Sequence, residues 1–472
     1  MQISYIEPII AHLEKTAKFD FFAKFTILKR MFKWLNQHNH RFSHGAAILS
    51  VTAFLSYGLG LVRDRLFAHN FGAGAELDAY NAAFIIPDLL LHILVAGALQ
   101  AAFIPIFTDI WHKKGKDEAE KLANTVLNAG IITVIIIGTL AAIFMPALAE
   151  IIAPGFADHE KILLINLTRL LLISPIIFSI SNTLGAILVS QKSYFSYGLS
   201  PVFYNLGIIV GVLIFSRSHG IYGVIFGTLA GALLHLGIRL LGIRPLKLKY
   251  APILNWRDYD FKRIVVLMIP KMFGHPAEQL IFWAFTVIAS TLAVGSITML
   301  SFARNFMSVP VSLFGIAFAT ASFPILSQAA SRADHREFVS HFWQSAKKTL
   351  LFTIPSGIIL FFFSVIIVKI FLGSGKFDDR AILTTASVLS IFALSVPTES
   401  ISHLLARSFY ALQDTLMPVI FSLLGFGIAI AVGWTYAPTL GLSALAWGFF
   451  AGSVFKITSL GILLFKRTKK LR

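Results

Sequence analysis

The residues able to do chemistry here are ionisable side chains that interrupt long apolar runs. The stretch from Leu55 to Phe107 is densest: Arg63, Asp64 and Arg65 in one run, Asp78 after a glycine turn, then Asp88 and His92 in a second run. Arg169 follows, and the second half adds Lys271, His275, Glu278, Arg304, Glu399, His403 and Arg407. Charge at membrane depth is costly and faces a protein-lined or watered cavity. Arginine offers a planar fork matched to phosphate oxygens, and lysine a point charge. The expected ligand contacts are Arg63, Arg304, Lys271, His92 and Asp88. Asp64, Asp78, Glu278 and Glu399 are the expected gate or ion-pair residues.

Local readings compete at several positions. Arg63 lies close to the end of its run, so a cavity role and snorkelling to the interface both stand. Arg65 reads as snorkelling, with Asp64 as its local partner. Asp78 stands where a helix begins, and an N-cap explains it. Arg239 and Arg407 approach run ends and read as interfacial. Arg304 is deep in its run. Lys271 follows Pro270, and Gly274 with Pro276 predicts a broken helix beside Lys271, His275 and Glu278.

The runs themselves must position these groups. Of 472 residues, 56% are hydrophobic and 13% are charged, with a mean hydropathy of +0.77. Soluble domains are nearer a quarter charged. The chain therefore reads as an all-α polytopic membrane protein. Twelve segments are long enough to span: Gly45–Phe67, Asp78–Trp111, Ala119–Ile152, Ile162–Val189, Gly198–Phe215, Tyr222–Leu241, Ile264–Leu292, Ser296–Leu326, Phe342–Phe371, Ile382–Tyr410, Leu416–Tyr436 and Leu442–Phe465.

Loop charges test that count. Basic residues fill the N-terminal tail, the Lys113–Lys121 loop, the Gln191-Lys192 turn, the loop from Arg244 to Arg263, the Arg332–Arg336 loop and the C-terminal tail. The alternate loops, Asn70–Leu77, Pro154–Lys161, Ser216–Gly220, Ala293–Gly295, Gly373–Arg380 and Ala437–Gly441, hold few. This bias puts both termini on the cytoplasmic side. It also explains the net charge of +17 without nucleic acid, for which no aromatic-basic platform or zinc pattern is present.

Three proline pairs repeat in order across the two halves: Pro105 with Pro324, Pro175 with Pro397, and Pro201 with Pro418. Each repeat holds six spans, so the halves share one orientation and the site belongs between them. The expected organisation is an extension over 1–44, a six-helix lobe over 45–243, a basic loop over 244–263, a second lobe over 264–465 and a basic tail over 466–472. In the extension, Lys15, Lys18, Lys24, Lys29, Arg30 and Lys33 interleave with Phe21, Phe22, Phe25, Phe32 and Trp34. That pattern reads either as an amphipathic helix on an anionic leaflet or as a poorly ordered tail.

Other chemistries find no support. The absence of cysteine excludes disulfides and thiolate sites. His38, His40 and His44 read as a polar linker rather than a metal site. No Walker A loop, HExxH pair or GxSxG elbow occurs, so neither an enzyme nor a cofactor is expected. Transport would draw on an ion gradient or the membrane potential.

The run Gly60-Leu61-Val62-Arg63-Asp64, then Phe71-Gly72-Ala73-Gly74, Asp78-Ala79-Tyr80, Phe84, Pro87, Gly97-Ala98 and Ala102-Phe103-Ile104-Pro105 resembles the opening of the MurJ/MviN lipid II flippases. Phe302-Ala303-Arg304-Asn305 with Pro310 and Leu313-Phe314-Gly315, and Leu405-Ala406-Arg407-Ser408-Phe409-Tyr410 before Pro418, extend the resemblance from Gly45 to the C-terminus. It implies two six-helix lobes around a cationic cavity in the bacterial inner membrane. It also implies a polyprenyl-diphosphate-linked muropeptide as cargo, moved by alternating access. The chain would work as a monomer among membrane lipids and cell-wall synthesis proteins. By resemblance Arg63 contacts the diphosphate, Asp78 belongs to the outer gate and Arg304 contributes cavity charge. Tyr57 stands where the family usually has arginine, Leu91-His92 where it has basic residues, and Ala96 where it has an acid. Arg304-Asn305 replaces an acidic-basic pair. Many members carry two further C-terminal helices with no counterpart in these 472 residues. Three other classes stay open: a flippase for another lipid-linked glycan or a small-molecule exporter, a transport-inactive scaffold, and a membrane glycosyl transferase. The last lacks an acidic metal cluster.

Overall fold

The computed structural model describes residues 42–93, 97–274 and 277–468. The N-terminal extension and His275 lie outside the described residues, as do the side chains of Lys271 and Glu278. All regular structure among the described residues is helical. Ten helices are long and apolar enough to cross a membrane. They coincide with ten of the twelve expected segments, which are numbered first to twelfth below.

The second and seventh segments are built from shorter helices. The second comprises Ala75–Ala83, Ile85–Leu91 and Gly97–Lys113. Pro87 cannot donate a backbone hydrogen bond, and a π turn follows at His92 and Ile93. The seventh comprises Tyr259–Gly274 and Ala277–Ser290; the break expected at Pro276 lies outside the described residues. The eighth stays continuous but widens into a π turn at Val311–Ile316, just after Pro310. That turn stands in the second repeat where the His92 turn stands in the first, counted from the Pro105 and Pro324 pair.

Each half packs mainly within itself. The fifth segment (Tyr194–His219) lies along the sixth (Ile221–Leu246), and the eleventh (Leu416–Leu440) along the twelfth (Ser443–Thr468). Small residues make both pairs close. A Cβ on Gly207 or Gly211 would strike the backbone of Gly231 or Gly227. A Cβ on Gly452 or Gly448 would strike the carbonyl of Gly425 or Ala429. The two seams occupy corresponding places in the halves, which adds packing support to the proline repeat. Without a hydrophobic drive inside lipid, close backbone approach supplies the association. Gly452→Ala would drive a methyl into the Gly425 carbonyl oxygen. It should cost about 1–3 kcal/mol, read as a lower unfolding midpoint in detergent.

Loops of the low-charge set meet at one end of the molecule. Lys376 N–H donates to the His69 carbonyl at 3.0 Å, and Gly155 N–H to Ser290 Oγ at 3.3 Å. At the opposite end the basic loops meet: Lys114 pairs with Asp260, Lys116 donates to the Lys247 carbonyl, and Arg467 pairs with Asp414. The alternation read from loop charge therefore matches the geometry. The loop after the sixth segment is fastened to the third segment (Lys116–Ile143). Asn124 donates to the Lys249 carbonyl, and Asn128 to those of Ala251 and Ile253.

Candidate functional site

The two halves enclose a cavity of about 220 Å³. The first segment supplies Arg63 and Asp64, the second Asp88, the fifth Tyr204, the seventh Gln279 and Trp283, and the eighth Arg304 and Asn305. Four expected site residues, Arg63, Asp64, Asp88 and Arg304, thus meet in one place despite their separation along the chain.

Arg63 is held on two sides. Its Nε and Nη2 donate to Asp64 Oδ1 at 3.1 and 2.9 Å, and its Nη1 to Asn205 Oδ1 at 3.2 Å. Asn205 is itself fixed by donating to Ser56 Oγ at 3.1 Å. Arg63 therefore faces the cavity rather than snorkelling. Asp64 is buried, and its second oxygen accepts from Asn305 Nδ2 of the other half at 2.8 Å. One carboxylate thus serves an arginine in its own half and an amide across the seam. The neutral amide of Asn305 suits this bond. Arg65 is exposed and reaches the Ile370 carbonyl.

Asp78 does cap a helix, but not its own. Its helix begins at Ala75 behind Gly74, with no side-chain cap. The Asp78 carboxylate accepts from the backbone N–H groups of Gly295 and Thr298 at 2.7 and 2.8 Å, and from Thr298 Oγ1 at 2.6 Å. Those donors open the eighth segment in the other half. Free N–H groups and the helix dipole favour a carboxylate there. Asn81 adds a bond to Thr298 Oγ1 at 3.3 Å. This end of the cavity is therefore shut.

Arg304 lies 4.0 Å over the Phe282 ring centroid, a cation–π contact that holds its fork in the cavity. His92 Nε2 meets Gln279 Nε2 of the seventh segment at 3.0 Å, which ties the second segment's π turn to the other half.

Glu399 falls elsewhere. It sits in the tenth segment and pairs with Lys456 of the twelfth, Nζ lying 2.7 and 2.9 Å from its two oxygens. Ile281, Phe426 and Phe449 surround the pair. Lys456 was missed in the sequence, although a lysine in mid-span is itself the signal. Arg239, read as interfacial, is instead buried. Its fork donates to Ser200 Oγ, the Ser181 carbonyl and Asn182 Oδ1 at 3.0, 2.7 and 2.8 Å. Packing of the fourth, fifth and sixth segments encloses it, which its position near a run end could not show. Among the described residues no group of acids and histidines could hold a metal ion.

A polytopic helical protein with a charged cavity between two like halves, sealed at one end by contacts between them, has the architecture of an alternating-access transporter. Residues 67–472 match the family model described as lipid II flippase MurJ, and the chain belongs to that family. It is 27% identical to the lipid II flippase MurJ of Burkholderia cenocepacia over 437 residues, covering 89% of this chain and 84% of that protein. It resembles a solved structure titled lipid II flippase MurJ, inward closed conformation, with a TM-score of 0.78, 26% identity and 90% of each chain covered. The fold also matches an inward-facing multidrug transporter of the MATE family. There the TM-score is 0.74, with 15% identity and 88% and 94% of the chains covered.

Proposed function

We propose that this chain carries lipid II, the polyprenyl-diphosphate-linked peptidoglycan precursor, from the inner to the outer leaflet of the bacterial inner membrane by alternating access. The observation that carries the reading is the inter-lobe cavity with two arginine forks, shut at one end by Asp78. A diphosphate is the part of such a cargo that needs positive, bidentate donors. Arg63 and Arg304 hold it, with Lys271 and His92 as further contacts. The prenyl chain stays in lipid.

The lining among the described residues sets Arg63 and Arg304 against Asp64 and Asp88. The diphosphate must therefore compete with carboxylates for each guanidinium. Such a site binds loosely enough to release, as a carrier requires. Asp64 gates this competition: while Asn305 holds one of its oxygens, it can hold Arg63 only with the other. A cavity of about 220 Å³ is too small for a sugar-peptide headgroup. The headgroup therefore enters from the basic-loop end and leaves once Asp78 lets go of the eighth segment. Both termini are cytoplasmic and the monomer is the working unit, beside cell-wall synthesis proteins.

The cysteine-free chain permits a direct test. Asn81→Cys with Thr298→Cys places a thiol pair across the seal. In liposomes carrying fluorescent lipid II, oxidation should stop translocation and reductant should restore it, while each single variant stays active. Undiminished translocation with the disulfide formed would refute the gate and the mechanism built on it.

A further inference from the structure

A second cavity, of about 260 Å³, opens at the basic-loop end, away from the transport site. It lies between the inner ends of the second and third segments and the loop that precedes the seventh. Lys114, Lys121, Glu118, Asp258 and Asp260 supply its charge, and Ile110, Leu122 and Ile253 its apolar wall.

The charges are not balanced. Lys114 Nζ bonds Asp260 at 2.9 Å, and Lys121 Nζ bonds Glu118 at 2.7 Å. The bond to Asp260 pushes the Lys114 ammonium up from its ordinary value. Asp258 remains. Its Oδ1 accepts from the Phe261 N–H at 2.8 Å and caps the Tyr259–Gly274 helix; its charge is felt by Lys114, but among the described residues no ion pair of 4 Å or less engages its carboxylate. The cavity is thus an acid-excess hollow in a face otherwise rich in lysine and arginine.

The surroundings fix its depth. Trp256 is 50% exposed and Tyr259 76%, and aromatic rings with a polar edge gather at the headgroup level. The loop bearing them is held to the third segment through Asn124 and Asn128, so the hollow is a formed feature.

We propose that this hollow binds a phospholipid whose headgroup ends in a primary amine, of the phosphatidylethanolamine type. The ammonium sits against Asp258 and donates hydrogen bonds that a choline headgroup cannot make. The phosphodiester meets Lys114 and Lys121, and the glycerol end lies on the apolar wall. An anionic lipid without an amine leaves Asp258 uncompensated. The bound lipid would brace the loop that joins the two halves.

The test is lipid retention by the purified full chain, measured by native mass spectrometry. The chain is offered equal amounts of dioleoyl phosphatidylethanolamine, phosphatidylcholine and phosphatidylglycerol. One charge-assisted bond to Asp258 should favour the ethanolamine lipid over the choline lipid by roughly tenfold. Asp258→Asn keeps the helix cap, because asparagine caps as well as aspartate, and should bring that ratio to about one. Equal retention of all three lipids by the unmodified chain, or preference for phosphatidylglycerol, overturns the proposal without any variant. So does an unchanged ratio in Asp258→Asn. Displacement of the lipid by an equal amount of soluble O-phosphoethanolamine would assign the hollow to a free metabolite instead.

Discussion

Arg63→Ala should abolish growth rescue in a strain depleted of its own lipid II flippase, with the variant present at normal level. Arg63 is firmly aimed by its neighbours. Asp64 takes two of its nitrogens and Asn205 the third, and Asn205 is itself fixed by Ser56. A fork aligned in advance loses little freedom on binding a diphosphate. Removing one partner of a desolvated charge pair typically costs 2–5 kcal/mol, so the expected loss of transport rate is on the order of 100-fold or more. Arg63→Lys keeps the charge but loses the fork, and should fall between alanine and the unmodified chain. Full rescue by the alanine variant would remove Arg63 from the mechanism. Normal protein level matters to the reading, because Asp64 keeps Asn305 as a partner in the variant.

The second large effect concerns stability. Lys456→Met should destabilise the second half by about 3–5 kcal/mol. It leaves the Glu399 carboxylate buried without its cation, among Phe426, Phe449 and Ile281. Adding Glu399→Gln should recover most of the loss, since replacing both members of a buried pair is far milder than stranding one. Unfolding midpoints of the two single variants and the double variant in one detergent form the measurement. A double variant whose loss equals the sum of the two single losses would mean that the two side chains are not energetically coupled. The pair sits close to the transport cavity: Phe449 stacks on Phe282 at 6.3 Å between centroids, and Phe282 carries Arg304. A transport defect in Lys456→Met that exceeds its stability loss would therefore be informative about Arg304.

Much of this architecture can be read in the chain itself. Apolar length and loop charge give the segments, because a bilayer imposes both. Gly274 with Pro276 predicts a break in the seventh segment, at residues outside those described, while the second segment reads as one run and is divided instead. Arg63, Asp64 and Arg304 stand out because charge in an apolar run is rare. Partner choice is the part that sequence hides. Asp78 looks like the cap of its own helix, while its donors, Gly295 and Thr298, lie 217 and 220 residues away. Glu399 reads as a gate or ion-pair residue, and the sequence does not say that its partner is Lys456 of the twelfth segment. Arg239 looks interfacial because distance from a run end says nothing about which neighbours close over the side chain. In each case the missing information is the rotation of one helix against another.

The seal at the low-charge end is made largely of main chain. Gly72 lies against the Lys376 carbonyl, Gly155 against that of Ser290, Gly295 against that of Ala73 and Gly375 against that of His69. A seal of side chains has rotamers, and rotamers let water through. Backbone packed on backbone has none, so these contacts hold a single geometry beside the Asp78 bonds. A carrier for a bulky lipid headgroup must open a wide path without discharging the membrane it sits in. At these four glycines the main chains of the two halves can meet directly, which any bulkier residue would prevent.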